Sequence, residues 1–367
     1  MGWKLDIQDI ARIAKGATLL GAGGGGDPYI SLLAARQIFA DGGSDVNVIA
    51  VDSLDDDALI LTVAGFGAPT VEKEKLFDLA PLMHSLRTLE KYLGRTADAL
   101  IAVEMGGGNA LVPILAAAAS GLPIVNGDGM GRAFPELQMT SYALGGVSPS
   151  PFALADEHLN SIVCDAENAK KGEAFARSAA VEMGLYAFLT AYAMTGAQAR
   201  DVVIRDTLTL AHKLGTTIEN AKSSKSPVAA LIEGIATEVA GTAVVHLIDG
   251  KITDLWRTTE KGFAIGWCDL VSLSDSSLQA RIEFQNEYLA FTVGGIPKVL
   301  TPDLICLVDS ETAEPVPTPD VRYGQRVTAI GLSCHDVFRS EAALEVVGPG
   351  AFNMEYVYAP IEKHARA

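Results

Sequence analysis

Glu104 stands at the end of an apolar run and is followed by three glycines. A carboxyl enclosed by glycine-walled backbone loses solvation. Its pKa then climbs toward neutrality, where it can exchange protons with a bound molecule. Asp128 and Glu136 are its candidate partners, both in the segment NGDGMGRAFPE (126–136). In this set Glu104 or Asp128 takes the role of base and Glu136 that of acid. Asp128, Arg132 and Glu136 recur every four residues and share one face if the segment is helical. Arg132 would then clamp a substrate carboxylate through two parallel hydrogen bonds.

Three further glycine-rich segments carry polar residues at their edges: GAGGGGDPY (21–29), GFGAPTVEKEK (65–75) and EMGGGNA (104–110). Glycine lets backbone approach a ligand closely. Gly24, Gly25 and Gly107 are therefore candidate substrate-binding positions, with Asp27, Glu72, Lys73 and Asn109 as the polar groups beside them. Lys73 joins Arg132 as an anchor for an anionic substituent. Asn109 and the backbone N–H groups of 106–108 would polarise a carbonyl. Asp27, Glu104 and Asp128 together would suit a hard divalent cation. The sequence requires no cofactor and leaves the identity of any metal open. The 21–26 glycine run follows a helical pattern and not a strand, so it is no dinucleotide fingerprint, and no Walker lysine follows any of the loops.

Elsewhere the chemistry is sparser. The six histidines show no metal-ligand spacing, and the four cysteines form no CxxC pair. His246 falls in an apolar run and reads as a core residue. Cys334 and His335, adjacent in an extended stretch, would point to opposite faces.

The elements that must position these loops follow from periodicity. The first half alternates helical patterns with short apolar runs: 46–51, 59–63, 99–103 and 123–125. Continuous apolar runs between helices predict a mostly parallel, three-layer α/β arrangement, with three of the four loops at strand C-termini, where open sheets bind ligands. Asp6 is a candidate N-cap, Pro28 suits the first turn of a second helix, and Asn109 is read as the cap of an alanine-rich helix. Helices are expected over 172–191 and 206–220. From 241 onward, short β runs predict a β-rich, barrel-like unit, with a hairpin turn at Asp249-Gly250. Trp256 to Phe263, just beyond it, is a candidate contact to the first half. The boundary is placed in the polar stretch 165–172, giving units of 1–165 and 166–367.

Composition narrows the function classes. The chain has 367 residues, 49% of them hydrophobic, and a net charge of −17. That charge repels phosphate backbones and anionic lipid, so neither nucleic acid nor membrane is an expected partner. The N-terminus lacks the apolar core of a signal peptide, which points to a cytoplasmic protein.

The blocks GAGGGGDPY, GFGAPTVEKEK, EMGGGNA, NGDGMGRAFPELQM, YAMTGAQAR, DGKITDLWRTTEKGF, IEFQNEYL and RYGQRVTAIG run in order through nearly the whole chain. Together they resemble the bacterial DUF917 family, described as S-methyl thiohydantoin desulfurase-like. The resemblance implies an N-terminal α/β domain, a C-terminal β-rich domain, and exchange of sulfur for oxygen on a five-membered hydantoin-type ring with release of a thiol. It also implies a setting in hydantoin catabolism, with a homo-oligomer or a hydantoinase- or oxoprolinase-type protein as possible partner. The alternative is a hydrolase, lyase or ligand-binding subunit acting on another cyclic amide or thioamide.

Overall fold

The computed structural model describes residues 2–363 apart from Ser44, Lys73, Leu76 and Ala240, and leaves the side chains of Pro69 and Thr70 undescribed. The chain starts as its caps dictate. Asp6 accepts from the N–H groups of Gln8 and Asp9, both at 2.8 Å, and opens the helix Ile7–Leu20. Asp27 accepts from Tyr29 N at 2.9 Å and, with Pro28 in the first turn, opens Pro28–Ala40.

An eight-stranded sheet forms the first layer system. Its order is Trp3–Leu5, Val46–Ile49, Ile124–Val125, Ala99–Ala102, Leu59–Gly67, Tyr186–Thr195, Phe152–Ala155, Ser161–Cys164. The four strands from Val46–Ile49 to Leu59–Gly67 are parallel, and those outside them run antiparallel. The sheet is thus mixed: the parallel core expected from the apolar runs, extended by antiparallel strands. Ala99–Ala102 is buried along its whole length, as a strand covered on both faces must be.

A seven-stranded antiparallel sheet follows, ordered Ile296–Leu300, Glu287–Val293, Gln279–Gln285, Phe263–Ser272, Val244–Glu260, Arg326–Leu332, Leu304–Asp309. It curls into a half-barrel around a second apolar core that includes Ile252, Leu270, Ile282 and Phe291. A two-stranded ladder pairs Gly127–Asp128 with Ile204–Arg205.

Four local expectations are corrected. The helix expected over 172–191 is Ala169–Glu182; Gly184 and Leu185, both at positive φ, then turn the chain into the strand Tyr186–Thr195. That strand is rich in tyrosine, phenylalanine and threonine, which suit a buried pleated surface. It fills the slot between Leu59–Gly67 and Phe152–Ala155, so the first sheet continues past residue 165. Asp249-Gly250 makes no turn. It lies inside the 17-residue strand Val244–Glu260, whose backbone is engaged by strands on both sides. The hairpin turns at Lys261-Gly262, with φ of +51° and +81°, the two left-handed residues that a tight hairpin needs. His246 is exposed and pairs with Asp249 at 3.1 Å. Asn109 caps no helix, because its side chain is engaged elsewhere.

Candidate active site

The four glycine-rich loops converge. Residues 25–26, 64–67 with Glu72, 103–104 with Asn109, and 130 with 134–137 line one cleft, closed on its far side by Asn286 and Glu287 of the second sheet and by Arg177 and Tyr186. The cleft holds about 60 Å³, room for a small ring.

Glu104 leaves the C-terminal end of Ala99–Ala102 and is 5% exposed. Asn109 Nδ2 donates to its Oε1 at 2.7 Å, and Phe134 N donates to its Oε2 at 3.2 Å. Asn109 is itself fixed by Gly65: its Oδ1 accepts from Gly65 N at 2.7 Å and its Nδ2 also donates to Gly65 O at 3.1 Å. The asparagine is therefore a brace, joining two of the loops and orienting the acid. Burial pushes the Glu104 carboxyl well above the usual range, and the like charge of Glu287 adds to it.

Glu287 is the acid that sequence reasoning missed. It is 2% exposed at the start of Glu287–Val293, and its Oε2 is buried without a hydrogen-bond partner among the described residues. Burial raises its pKa to about 8, against the pull of Arg132, its own backbone N–H, Arg177 and the Gly25 N–H. Its position depends on an irregularity: the register shifts between Glu283 and Phe284, and Asn286 takes φ +62°. The run EFQNEYLAF does hold a signal, an acid beside Asn in an otherwise apolar strand.

The close fit of backbone explains two of the glycines. A Cβ on Gly107, whose φ is +55°, would sit 2.5 Å from the carbonyl carbon of Gly25, so the first and third loops touch main chain to main chain. Gly24 lies against the Glu287 side chain.

Other expected site residues are placed as follows. Gly25, Glu72 and Glu136 line the cleft with Glu104 and Asn109. Tyr186 donates from its hydroxyl to Glu72 Oε1 at 3.2 Å, and Gln138 Nε2 donates to Glu136. Asp27 is a helix cap. Lys73 lies outside the described residues. Asp128 is fully buried beneath the cleft. Its Oδ2 accepts from Met130 N at 2.9 Å and Gly131 N at 2.7 Å, and burial raises its pKa to about 7.

Arg132 does not reach the cleft. The segment 126–136 is a strand and a series of turns, with Gly131 at φ +64°, so the four-residue spacing puts no common face together. The Arg132 side chain is 1% exposed. It donates through Nη1 to the carbonyls of Pro302 (2.6 Å) and Asp303 (3.1 Å), and through Nε to that of Ala133 (3.0 Å). It ties the fourth loop to the second sheet, and its charge acts on Glu287 from behind.

The trio expected to hold a cation is not assembled: among the described residues no three His, Cys, Asp or Glu side chains are grouped as a metal ion requires. Cys334 is buried, with its thiol pushed up to about 12, mainly by burial. No described helix is long and apolar enough to cross a membrane.

Two family models divide the chain between them. The one described as the S-Me-THD-like N-terminal domain matches residues 8–166, and the S-Me-THD-like C-terminal domain matches residues 167–361. No curated protein matches. Among solved structures, the crystal structure of a protein from Chromobacterium violaceum superposes with a TM-score of 0.79 at 25% identity, over 98% of this chain and 100% of that one.

Proposed function

Since the chain belongs to the S-methyl thiohydantoin desulfurase-like family, we infer that it hydrolyses a thiohydantoin-type ring at its sulfur-bearing carbon, releasing a thiol and leaving the oxo ring. The observation that carries this reading is the pair of buried carboxyls, Glu104 from the first sheet and Glu287 from the second, that face one small cleft.

The two acids are separated in role by their surroundings. Glu287 feels two guanidinium charges, whereas Glu104 feels the charge of Glu287 and lies deep among glycines. Glu287 therefore loses its proton first and serves as the base, and Glu104 keeps its proton and serves as the acid. Water adds to the ring carbon and gives one proton to Glu287. The C=N electron pair moves onto the ring nitrogen, which takes the proton of Glu104. The resulting tetrahedral carbon then collapses: its hydroxyl returns a proton to Glu104, the carbonyl forms, and the C–S bond breaks. Sulfur departs with the proton held by Glu287. Both carboxyls end as they began, and water has been divided between the thiol and the ring. Asn109 holds Glu104 in line through both steps. Each proton transfer of this kind contributes on the order of 10²–10⁴-fold.

The test incubates the purified protein with S-methylated and free thiohydantoins and follows thiol release together with the oxo-ring product. Thiol in step with the oxo ring is the expected result. Ring opening without thiol, or no turnover across the panel, would move the chain to chemistry on another cyclic amide.

A further inference from the structure

Among the described residues on the cleft wall, Arg177 carries the positive charge. It projects from the helix Ala169–Glu182 and is held by two hydrogen-bond partners and two aromatic rings. Its Nε donates to Glu173 Oε1 at 2.8 Å and its Nη2 donates to Pro135 O at 2.9 Å. Two aromatic rings lie against it, with the guanidinium carbon 4.2 Å from the centroid of Phe66 and 4.4 Å from that of Phe263. Phe66 belongs to the central strand of the first sheet. Phe263 directly follows the Lys261-Gly262 turn of the second sheet, and a Cβ on Gly262 would lie 2.9 Å from Arg177 Cδ. A guanidinium packed against two rings and tied to a carboxylate and a carbonyl has few orientations left.

We propose that Arg177 is a positioning residue for the acid pair, and that the hairpin tip carrying Phe263 fixes where its charge falls relative to Glu287. The proposal rests on the acid-pair reading above. Glu287 is faced by Glu104, Arg132 and Arg177; Arg177 is paired in turn with Glu173, and Glu136 and Glu72 line the same cleft. Arg132 is locked to backbone carbonyls, whereas the placement of Arg177 rests on side-chain contacts that include the Phe263 ring. A cation nearby favours the ionised carboxylate. Loosening the clamp therefore raises the pH at which Glu287 becomes a base.

Three variants test this: Phe263→Ala, Phe263→Tyr and Arg177→Met. In thiol release, Phe263→Ala is expected to move the rising limb of the kcat–pH profile up by about 0.5–1 unit, and Arg177→Met by about 1 unit or more. Phe263→Tyr keeps a ring over the guanidinium and restores the wild-type limb. A second readout needs no turnover. Arg177→Met in the ligand-free protein should carry the decline of Tm with pH to higher pH, and adding Glu287→Gln should abolish that displacement. Limbs and melting curves that stay in place in folded Phe263→Ala and Arg177→Met proteins would overturn the proposal. Wild-type protein that releases no thiol but shows the melting displacement would overturn the desulfurase reading and leave the clamp standing.

Discussion

A Cβ placed on Gly24 would lie 1.9 Å from Glu287 Oε1 and 2.5 Å from its Cδ, so these two positions share one space. Gly24 is not at positive φ, and its backbone tolerates alanine. The three nearest atoms all belong to the Glu287 side chain. Gly24→Ala is expected to push that carboxyl off its site and lower kcat by on the order of 10²-fold, with a stability loss of about 1–3 kcal/mol from overpacking. Steady-state thiol release and a thermal melt check both. Wild-type turnover in a folded Gly24→Ala protein would remove Glu287 from the reaction.

Glu104→Gln and Glu287→Gln should each lower kcat by on the order of 10²–10⁴-fold. Because both acids act in the same two steps, addition and collapse, the double variant should be little worse than the poorer single one. Multiplicative losses would show that the carboxyls act independently.

Burying these acids shapes the pH dependence of stability. Glu287 ionises at about 8 in the folded chain against 4.5 for a free glutamate. Between those values the folded state binds more protons than the unfolded one, so stability falls as pH rises through the window. Glu104 and Asp128, also raised by burial, act in the same direction. The protein should melt at higher temperature near pH 5.5 than near pH 8.5. Glu287→Gln should flatten that slope and raise Tm chiefly at the alkaline end, by a stability gain on the order of a few kcal/mol. Calorimetry across the range decides the matter, and an upward slope would contradict the burial of these groups.

Arg132→Met is expected to act on folding. Removing a buried guanidinium strands the carbonyls of Pro302, Asp303 and Ala133 and costs about 3–5 kcal/mol. Chemical denaturation should show the loss, while KM in the surviving folded fraction stays within a few-fold of wild type. A stable variant with a sharply raised KM would return Arg132 to substrate binding.

Much of the site is legible in the sequence, for a local reason. Glycine runs at strand ends, with acids at their edges, are written within a few residues, and Glu104, Asn109, Glu136 and Glu72 all reach the cleft. What fails is direction over distance. Arg132 and Asp128 sit in the right loop, but Gly131 turns the backbone so that one side chain runs under the second sheet and the other under the cleft. Glu287 depends on a register shift some 180 residues from Glu104, and no short-range pattern encodes which strand end meets which loop. The fold shows the same split. The parallel core follows from apolar runs. The turn expected at Asp249-Gly250 loses to a strand paired on both edges, where tertiary hydrogen bonding outweighs a two-residue preference.

The strand Tyr186–Thr195 has a consequence for dissecting this molecule. The two family models meet at 166/167, yet the first sheet takes one of its inner strands from beyond that junction. A fragment ending at 166 would leave the edge of Leu59–Gly67 bare, a nine-residue row of apolar backbone that invites aggregation. A cut between the helix Pro227–Glu238 and the strand beginning at Val244 would keep the first sheet whole but divide its core, which includes Leu304, Cys306, Ile330 and Phe338. Even there, the leading piece would lack Glu287 and so one half of the buried acid pair.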